Sequence, residues 1–89
     1  MTYKVEKTKQ YYKSLKRINQ NDVKTIESAI NVELSNDPYG CPDCHKLTLP
    51  QHGGKYRLRV RDYRVFYIID ETKKTVIVYY VIHRSNAYS

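Results

Sequence analysis

The 89-residue chain lacks several features that would assign it to a common class of protein. No apolar run approaches the roughly 20 residues of a membrane-spanning helix, and no signal peptide is visible at the N-terminus. Two cysteines are too few for a disulfide-stapled scaffold. Paired carboxylates, glycine-rich phosphate loops and Ser/His/Asp sets are absent. The sequence therefore predicts a soluble, cytoplasmic protein in which residues 1–89 form one domain.

Acidic side chains are also scarce, with nine Asp and Glu against sixteen Lys and Arg and a net charge of +7. Most of the excess lies in residues 46–89, which hold five of the six arginines. The chain has ten tyrosines and no tryptophan. Arginines interleaved with tyrosines are typical of RNA-binding surfaces, where cations contact phosphates and aromatic rings stack on bases. A basic surface without a function remains the alternative.

The pattern of apolar residues predicts an α+β fold with the element order β-α-α-β-β-β. We expect an antiparallel sheet covered on one face by a helical hairpin, followed by a short C-terminal tail. Thr8 is the expected N-cap of the first helix, and residues 19–22 are expected to form a polar break before the second. The predicted strands are residues 2–6, 56–60, 63–69 and 75–82, and residues 37–54 are predicted to form a long loop.

Four arginines are predicted to share the face of the sheet that the helices leave open. Side chains alternate across a strand, so the apolar residues of 56–60 should pack under the helices and the arginines should point away from them. The predicted members are Arg57, Arg59, Arg61 and Arg64. Adjacent cations repel one another unless an anion lies among them, so this face is predicted to bind phosphate. A solvated face that discourages edge-to-edge aggregation is the alternative.

Residues 55–70, KYRLRVRDYRVFYIID, resemble the signature stretch of RelE-type toxins of bacterial and archaeal toxin–antitoxin pairs. The apolar strand 75–82, followed by His83, Arg84 and Tyr88, is similar to the C-terminal signature of that family. The resemblance covers the whole chain. It implies an endoribonuclease that enters the ribosomal A site and cleaves messenger RNA, inhibiting translation. The RNA 2′-OH would attack the adjacent phosphate and leave a 2′,3′-cyclic phosphate, without a cofactor.

The resemblance also assigns roles to residues. Those expected to act in catalysis are Arg57, Arg59, Arg64, Arg84 and Tyr88, and those expected to bind RNA are Lys55, Arg61 and His83. Arg57 and Arg59 stand where the best-studied members have lysines, which leaves no side chain there that could release a proton. The implied partners are the ribosome, messenger RNA and an antitoxin, expected to be an acidic, partly disordered chain with an amphipathic helix in a hetero-oligomer.

Two other functions remain open at this stage. The related ParE branch shares the fold but attacks DNA gyrase, and a decayed toxin would be a non-catalytic module that binds nucleic acid. Among the other motifs, Cys41, Cys44 and His45 match the CxxCH pattern of haem attachment, which requires export. The same residues, or the two cysteines with His52, are weak candidates for zinc ligands. A redox dithiol is a further alternative, and ordinary loop thiols are the favoured interpretation.

Overall fold

The computed structural model describes residues 2–46 and 55–87. In chain order the elements are β1 (Lys4–Lys7), α1 (Lys9–Ser14), α2 (Gln20–Ala29), β2 (Cys44–Lys46), β3 (Lys55–Val60), β4 (Tyr63–Asp70), β5 (Thr75–His83) and α3 (Arg84–Ala87). A short 3-10 turn, Leu15–Arg17, follows α1, and a π-helical turn, Ile30–Leu34, extends α2. The α+β class and the predicted order of the main elements are confirmed.

Helices α1 and α2 each begin at a residue whose side chain caps the helix. Thr8 caps α1 as predicted, because its Oγ1 accepts a hydrogen bond from the backbone N–H of Tyr11 at 3.2 Å. Asn19 caps α2 in the same way, accepting from the N–H of Asp22 at 2.9 Å. The prediction of a polar break over residues 19–22 is therefore wrong, since these residues are the cap and first turn of the helix.

The five strands form one sheet in the order β1-β5-β4-β3-β2. The pairs β3–β4 and β4–β5 are antiparallel as predicted, and β2, which was not predicted, also pairs with β3 in the antiparallel sense. The expectation of a wholly antiparallel sheet is wrong for β1, which pairs with β5 in parallel. The sheet is therefore mixed. The prediction of a loop throughout residues 37–54 is also wrong, because it contains the edge strand β2, while residues 47–54 lie outside the described part of the chain.

The hydrophobic core lies between the helices and one face of the sheet. The helices contribute a row of fully buried side chains, Tyr11, Ile26, Ile30 and Leu34. The sheet contributes Leu58, Val60, Val65, Tyr67, Val76, Val78 and Val81. These sheet residues come from the apolar positions of β3, β4 and β5, so burial of this set directs the alternate residues to the opposite face. Within the described residues, no helix combines the length and apolarity that crossing a membrane requires.

A cluster of tyrosines fixes the turn between α2 and β2. The hydroxyl of the buried Tyr67 donates to the backbone carbonyl of Pro38 at 2.7 Å, and its ring stacks on Tyr56. The hydroxyl of Tyr39 donates to the carboxylate of Glu71, and this hydrogen bond raises the pKa of Tyr39 to about 12. These contacts hold the start of the predicted loop against the sheet, so that β2 begins at a defined place.

Candidate functional site

The pairing of β3 with β4 brings three of the predicted arginines onto one face of the sheet. Arg59 lies directly opposite Arg64, and Arg57 lies opposite Phe66. Directly opposed residues of antiparallel strands have their side chains on the same face. Lys55 also belongs to this face, because it alternates with Arg57 along β3. We call the surface formed by Lys55, Arg57, Arg59, Arg64 and Phe66 the arginine face.

Two of these guanidinium groups have a buried nitrogen without a hydrogen-bond partner among the described residues. Arg64 is only 8% exposed and Arg57 is half-buried, and the Nε atom of each is buried with no partner within residues 2–46 and 55–87. The only hydrogen bond of the Arg64 guanidinium among the described residues runs from Nη1 to the carbonyl of Tyr63, at 3.3 Å. No carboxylate in the described chain forms an ion pair with Arg57, Arg59 or Arg64. Because burying unpaired charge is costly, an anion bound over these groups would be strongly stabilised.

Aromatic rings lie beside the cations. Phe66 stacks on Tyr80, with ring centroids 6.2 Å apart, and also approaches Tyr79 at 6.4 Å. The Nζ of Lys55 lies 5.7 Å from the centroid of the Tyr79 ring. Burial raises the pKa of Tyr79, so its hydroxyl stays protonated. Cations next to half-buried rings can contact phosphates and stack on bases at the same time.

The edge strand β2 adds a residue that the sequence did not suggest for this site. His45 lies directly opposite Arg57 in the antiparallel pairing of β2 with β3, and it is exposed. The turn before it is fixed to β3, because the carbonyl of Asp43 accepts a hydrogen bond from the N–H of Arg59 at 2.9 Å. A three-residue strand carries no detectable periodicity, so no pattern in the sequence could have placed His45 beside the arginines.

Cys41 and Cys44 are joined by a disulfide bond across this turn. Their sulfurs are not available as thiolate ligands in this state, so the zinc and haem hypotheses for Cys41, Cys44 and His45 are wrong for the structure described here. The prediction of ordinary loop thiols is wrong for the same reason. Within residues 2–46 and 55–87, no cluster of three or more His, Cys, Asp or Glu side chains could hold a metal ion. His52 lies outside the described residues.

The sequence matches the family model described as the ParE toxin of type II toxin–antitoxin systems, parDE, over residues 5–88. The chain belongs to this toxin family. The match covers every residue of the arginine face and the C-terminal residues Arg84 and Tyr88. No curated protein sequence matches the chain.

Solved structures of RelE toxins share the fold of this ParE-family toxin. The archaeal RelE–RelB complex from Pyrococcus horikoshii OT3 is 27% identical with a TM-score of 0.76, covering 98% of this chain and 100% of that one. The toxin–antitoxin complex RelBE2 from Mycobacterium tuberculosis is 24% identical with a TM-score of 0.83, covering 94% and 100%. A double mutant of the E. coli toxin RelE in the free state is 19% identical with a TM-score of 0.73, covering 98% and 87%. The resemblance to RelE-type toxins is thereby confirmed.

His83, which is expected to bind RNA, does not lie on the arginine face of the toxin. A bulge opposite Phe66 and Tyr67 inserts Tyr79 into β5 and shifts the alternation of the residues that follow. His83 therefore pairs with Tyr63 on the helix side, with the two rings 5.2 Å apart and nearly perpendicular. The Nδ1 atom of His83 accepts a hydrogen bond from the N–H of Ser85 at 3.2 Å. His83 and Lys13 both line a groove with a volume of about 580 Å³.

Arg61 also departs from the predicted row. It occupies the turn between β3 and β4 with a φ of 53°, a left-handed conformation that interrupts the strand alternation. Arg61 lines a separate groove of about 270 Å³ that also contains Ala29 and Glu33 of the helical segment. Asp62 is the second residue of this turn.

Arg84 of the toxin's predicted site lies at the end of the sheet, directly after β5. Arg84 is 63% exposed, and its Nε is 3.9 Å from Oδ1 of Asp62. Its backbone N–H donates to the carbonyl of Asp62 at 2.6 Å, which ties the start of α3 to the β3–β4 turn. Arg84 follows Ile82, the residue paired with Arg64, by two positions. Tyr88 lies outside the described residues.

Proposed function

We propose that this toxin is a ribosome-dependent endoribonuclease that cleaves messenger RNA in the ribosomal A site and so inhibits translation. The observation that carries the proposal is the pair of buried Nε atoms of Arg57 and Arg64, which have no hydrogen-bond partner in the described chain, next to the exposed Arg59. A fold gains nothing from burying such groups without partners, whereas a phosphodiester supplies the missing charge. The neighbouring rings of Phe66 and Tyr80 offer a surface on which a base can stack.

The reaction we propose is an internal transfer at one phosphodiester. The RNA 2′-oxygen attacks the adjacent phosphorus and loses its proton, the bond from phosphorus to the 5′-oxygen breaks, and the 5′-oxygen gains a proton. The products are a 2′,3′-cyclic phosphate and a 5′-hydroxyl. Negative charge builds up on the phosphorus oxygens, and we assign its stabilisation to Arg57, Arg59 and Arg64. Lys55 and Arg84 would contact flanking phosphates, and Tyr88 would stack on a base or transfer a proton.

We propose an antitoxin as the partner that silences this activity. The solved relatives from P. horikoshii and M. tuberculosis are complexes of a toxin with its antitoxin. A chain with acidic side chains would complement the net charge of +7 and the unpaired arginines of this toxin. Ribosomes and messenger RNA as targets would place the protein in the cytoplasm.

The proposal is tested by mapping cleavage on a defined message in a cell-free translation reaction. Wild type should cut within translated codons, and only when ribosomes are present. Arg64→Ala should lose the cuts, while Arg17→Ala, which removes an exposed arginine from the 3-10 turn on the helix side, should keep them. An uncut message with translation intact would refute the nuclease.

Inhibition of DNA gyrase is the second candidate, and the match to the ParE family model favours it. The two candidates differ in what they require of the arginine face. A protein that inhibits gyrase by binding it need not stabilise a phosphorane, so Arg64→Ala should leave gyrase inhibition largely intact. A supercoiling assay with wild type and Arg64→Ala therefore separates the two functions.

A further inference from the structure

We propose that His45 is the group that accepts the proton of the RNA 2′-OH. The inference rests on the proposed nuclease function and supplies the one component that the arginines cannot. Guanidinium groups remain protonated in proteins, so Arg57, Arg59 and Arg64 cannot act as bases at neutral pH. An imidazole can exchange a proton in that range. Of the two histidines in the described part of the chain, His45 shares the face of the arginines and His83 does not.

The register of the sheet positions His45 next to the proposed phosphate site. Cβ atoms of directly opposed residues in antiparallel strands are about 4.5–5.5 Å apart, so the His45 ring starts beside the Arg57 side chain. A phosphate bound by Arg57 would therefore lie within reach of the imidazole. His45 is also exposed, so RNA can approach it from the open side of the sheet.

The backbone around His45 is constrained on both sides of the turn that precedes it. The Cys41–Cys44 disulfide closes that turn, and the N–H of Cys44 donates to the carbonyl of Cys41 at 2.9 Å. The carbonyl of Asp43 is bonded to the N–H of Arg59. These contacts tie the position of His45 to the strand that carries two of the arginines, which is the positional precision that general base catalysis needs.

The charged groups that face His45 from β3 are cationic. Arg57 lies opposite, and Lys55 and Arg59 are its diagonal neighbours on β3. β2 is the edge strand of the described sheet, so no other described strand faces it from the far side. The nearest acidic residue in sequence, Asp43, lies in the turn before β2 and lines a groove together with Glu33 and Arg59. Other candidates on this face are less suited, since burial keeps the Tyr79 hydroxyl protonated by raising its pKa.

In the proposed step, a neutral ring nitrogen of His45 takes the 2′-OH proton as the bond from the 2′-oxygen to phosphorus forms. The bond from phosphorus to the 5′-oxygen breaks, its electron pair stays on the 5′-oxygen, and that oxygen is protonated by water. The imidazolium then returns its proton to solvent. The step needs no oxidant, metal or further reactant.

The test is single-turnover cleavage by programmed ribosomes over a range of pH, with wild type, His45→Gln, His45→Ala and Lys46→Gln. Lys46 is the matched control because it is the next residue on β2 and, paired with Tyr56, points to the opposite face. We expect both His45 variants to cleave about 10²–10⁴-fold more slowly than wild type. The rate of wild type should fall at low pH, where the base is protonated, and the variants should not show this decrease. Added 4-methylimidazole should restore part of the rate of His45→Ala, and Lys46→Gln should behave as wild type.

Two different results would overturn the proposal. If wild type cleaves, and His45→Gln shows the same rate and the same decrease in rate at low pH, His45 is not the base although the nuclease function stands. If wild type does not cleave on programmed ribosomes, the nuclease function fails and this inference fails with it. Equal thermal unfolding temperatures for the variants and wild type exclude misfolding, and rescue by 4-methylimidazole distinguishes proton transfer from a role in holding β2.

Discussion

The two faces of the sheet are built from alternate residues of the same strands, but their polar groups differ. On the helix side, three tyrosine hydroxyls reach acceptors: Tyr11 donates to Glu27 at 3.0 Å, Tyr63 to Asp22 at 2.8 Å, and Tyr67 to the carbonyl of Pro38 at 2.7 Å. The first bond joins α1 to α2, the second joins the sheet to α2, and the third joins the sheet to the turn before β2.

On the arginine face, two buried donors have no acceptor among the described residues. The Nε atoms of Arg57 and Arg64 are buried without partners, and neither guanidinium forms an ion pair in the described chain. Natural proteins satisfy the large majority of buried polar groups, so exceptions require an explanation. It follows that the helix side is complete as folded, whereas the arginine face is arranged for an anion from outside.

The largest expected contrast between the faces comes from two adjacent residues of β3. Leu58→Ala should lower the free energy of unfolding by about 2–5 kcal/mol, because Leu58 is 1% exposed and its removal leaves a cavity. Arg59→Ala should change stability by only about 0.5 kcal/mol, because Arg59 is exposed. Urea unfolding measures both. Arg59→Ala should nevertheless slow cleavage about 10²–10³-fold. Equal destabilisation by the two substitutions would contradict the division between the faces.

The disulfide gives the next largest expected effect. Removing it in Cys41→Ser/Cys44→Ser should lower stability by about 2 kcal/mol, the value that chain entropy predicts for so short a loop. Reduction with dithiothreitol should lower wild type to the level of the variant and leave the variant unchanged. If dithiothreitol left the unfolding midpoint of wild type unchanged, the disulfide bond would not contribute to the stability of the fold. The turn fixes β2, so cleavage should fall along with stability.

Strand alternation was enough to predict most of the arginine face from sequence. Because the residues of 56–60 alternate strictly, burying Leu58 forces Arg57 and Arg59 outward, and the tight turn to β4 brings Arg64 opposite Arg59. The same reasoning failed at Arg61, where the chain turns with a positive φ. Periodicity describes a strand only as far as its regular conformation continues.

Two further features lay beyond sequence reasoning for physical reasons. The bulge at Tyr79 occurs within a continuous run of β-branched and aromatic residues, which reads the same in either alternation, so the face of His83 was undetermined. The strand β2 has three residues, and it exists because β3 offers an edge and the turn at Asp43 reaches Arg59. Both depend on tertiary pairing rather than on local preference.

A smaller effect tests the completeness of the helix side. Tyr67→Phe should lower the free energy of unfolding by about 1.5 kcal/mol at pH 7, because the Pro38 carbonyl loses its donor. Burial raises the pKa of Tyr67 above the ordinary tyrosine value of about 10. The hydroxyl's contribution is therefore fully present below about pH 10 and is lost as pH rises through the folded-state pKa. The stability gap between wild type and variant should narrow above about pH 10, and a constant gap would contradict this assignment.

The smallest expected effect has the opposite sign and bears most directly on the arginine face. Arg64→Met should raise the free energy of unfolding by about 1 kcal/mol, because a flexible apolar side chain replaces a buried cation that has an unsatisfied donor. Arg84→Met is the matched control. Its side chain is 63% exposed, so its stability should stay within about 0.5 kcal/mol of wild type. Both are measured by urea unfolding without RNA.

Arg64→Met should abolish cleavage while it stabilises the fold, and only this combination identifies a residue kept for a ligand. If Arg64→Met were destabilising instead, the guanidinium would contribute to the folded state, and its unpaired Nε would be a tolerated consequence of packing. Adding an RNA oligonucleotide is a second test of whether Arg64 is kept for a ligand or contributes to the folded state. RNA should raise the unfolding midpoint of wild type and not that of Arg64→Met. A ligand stabilises only a folded protein that binds it, and Arg64→Met lacks the guanidinium that contacts phosphate.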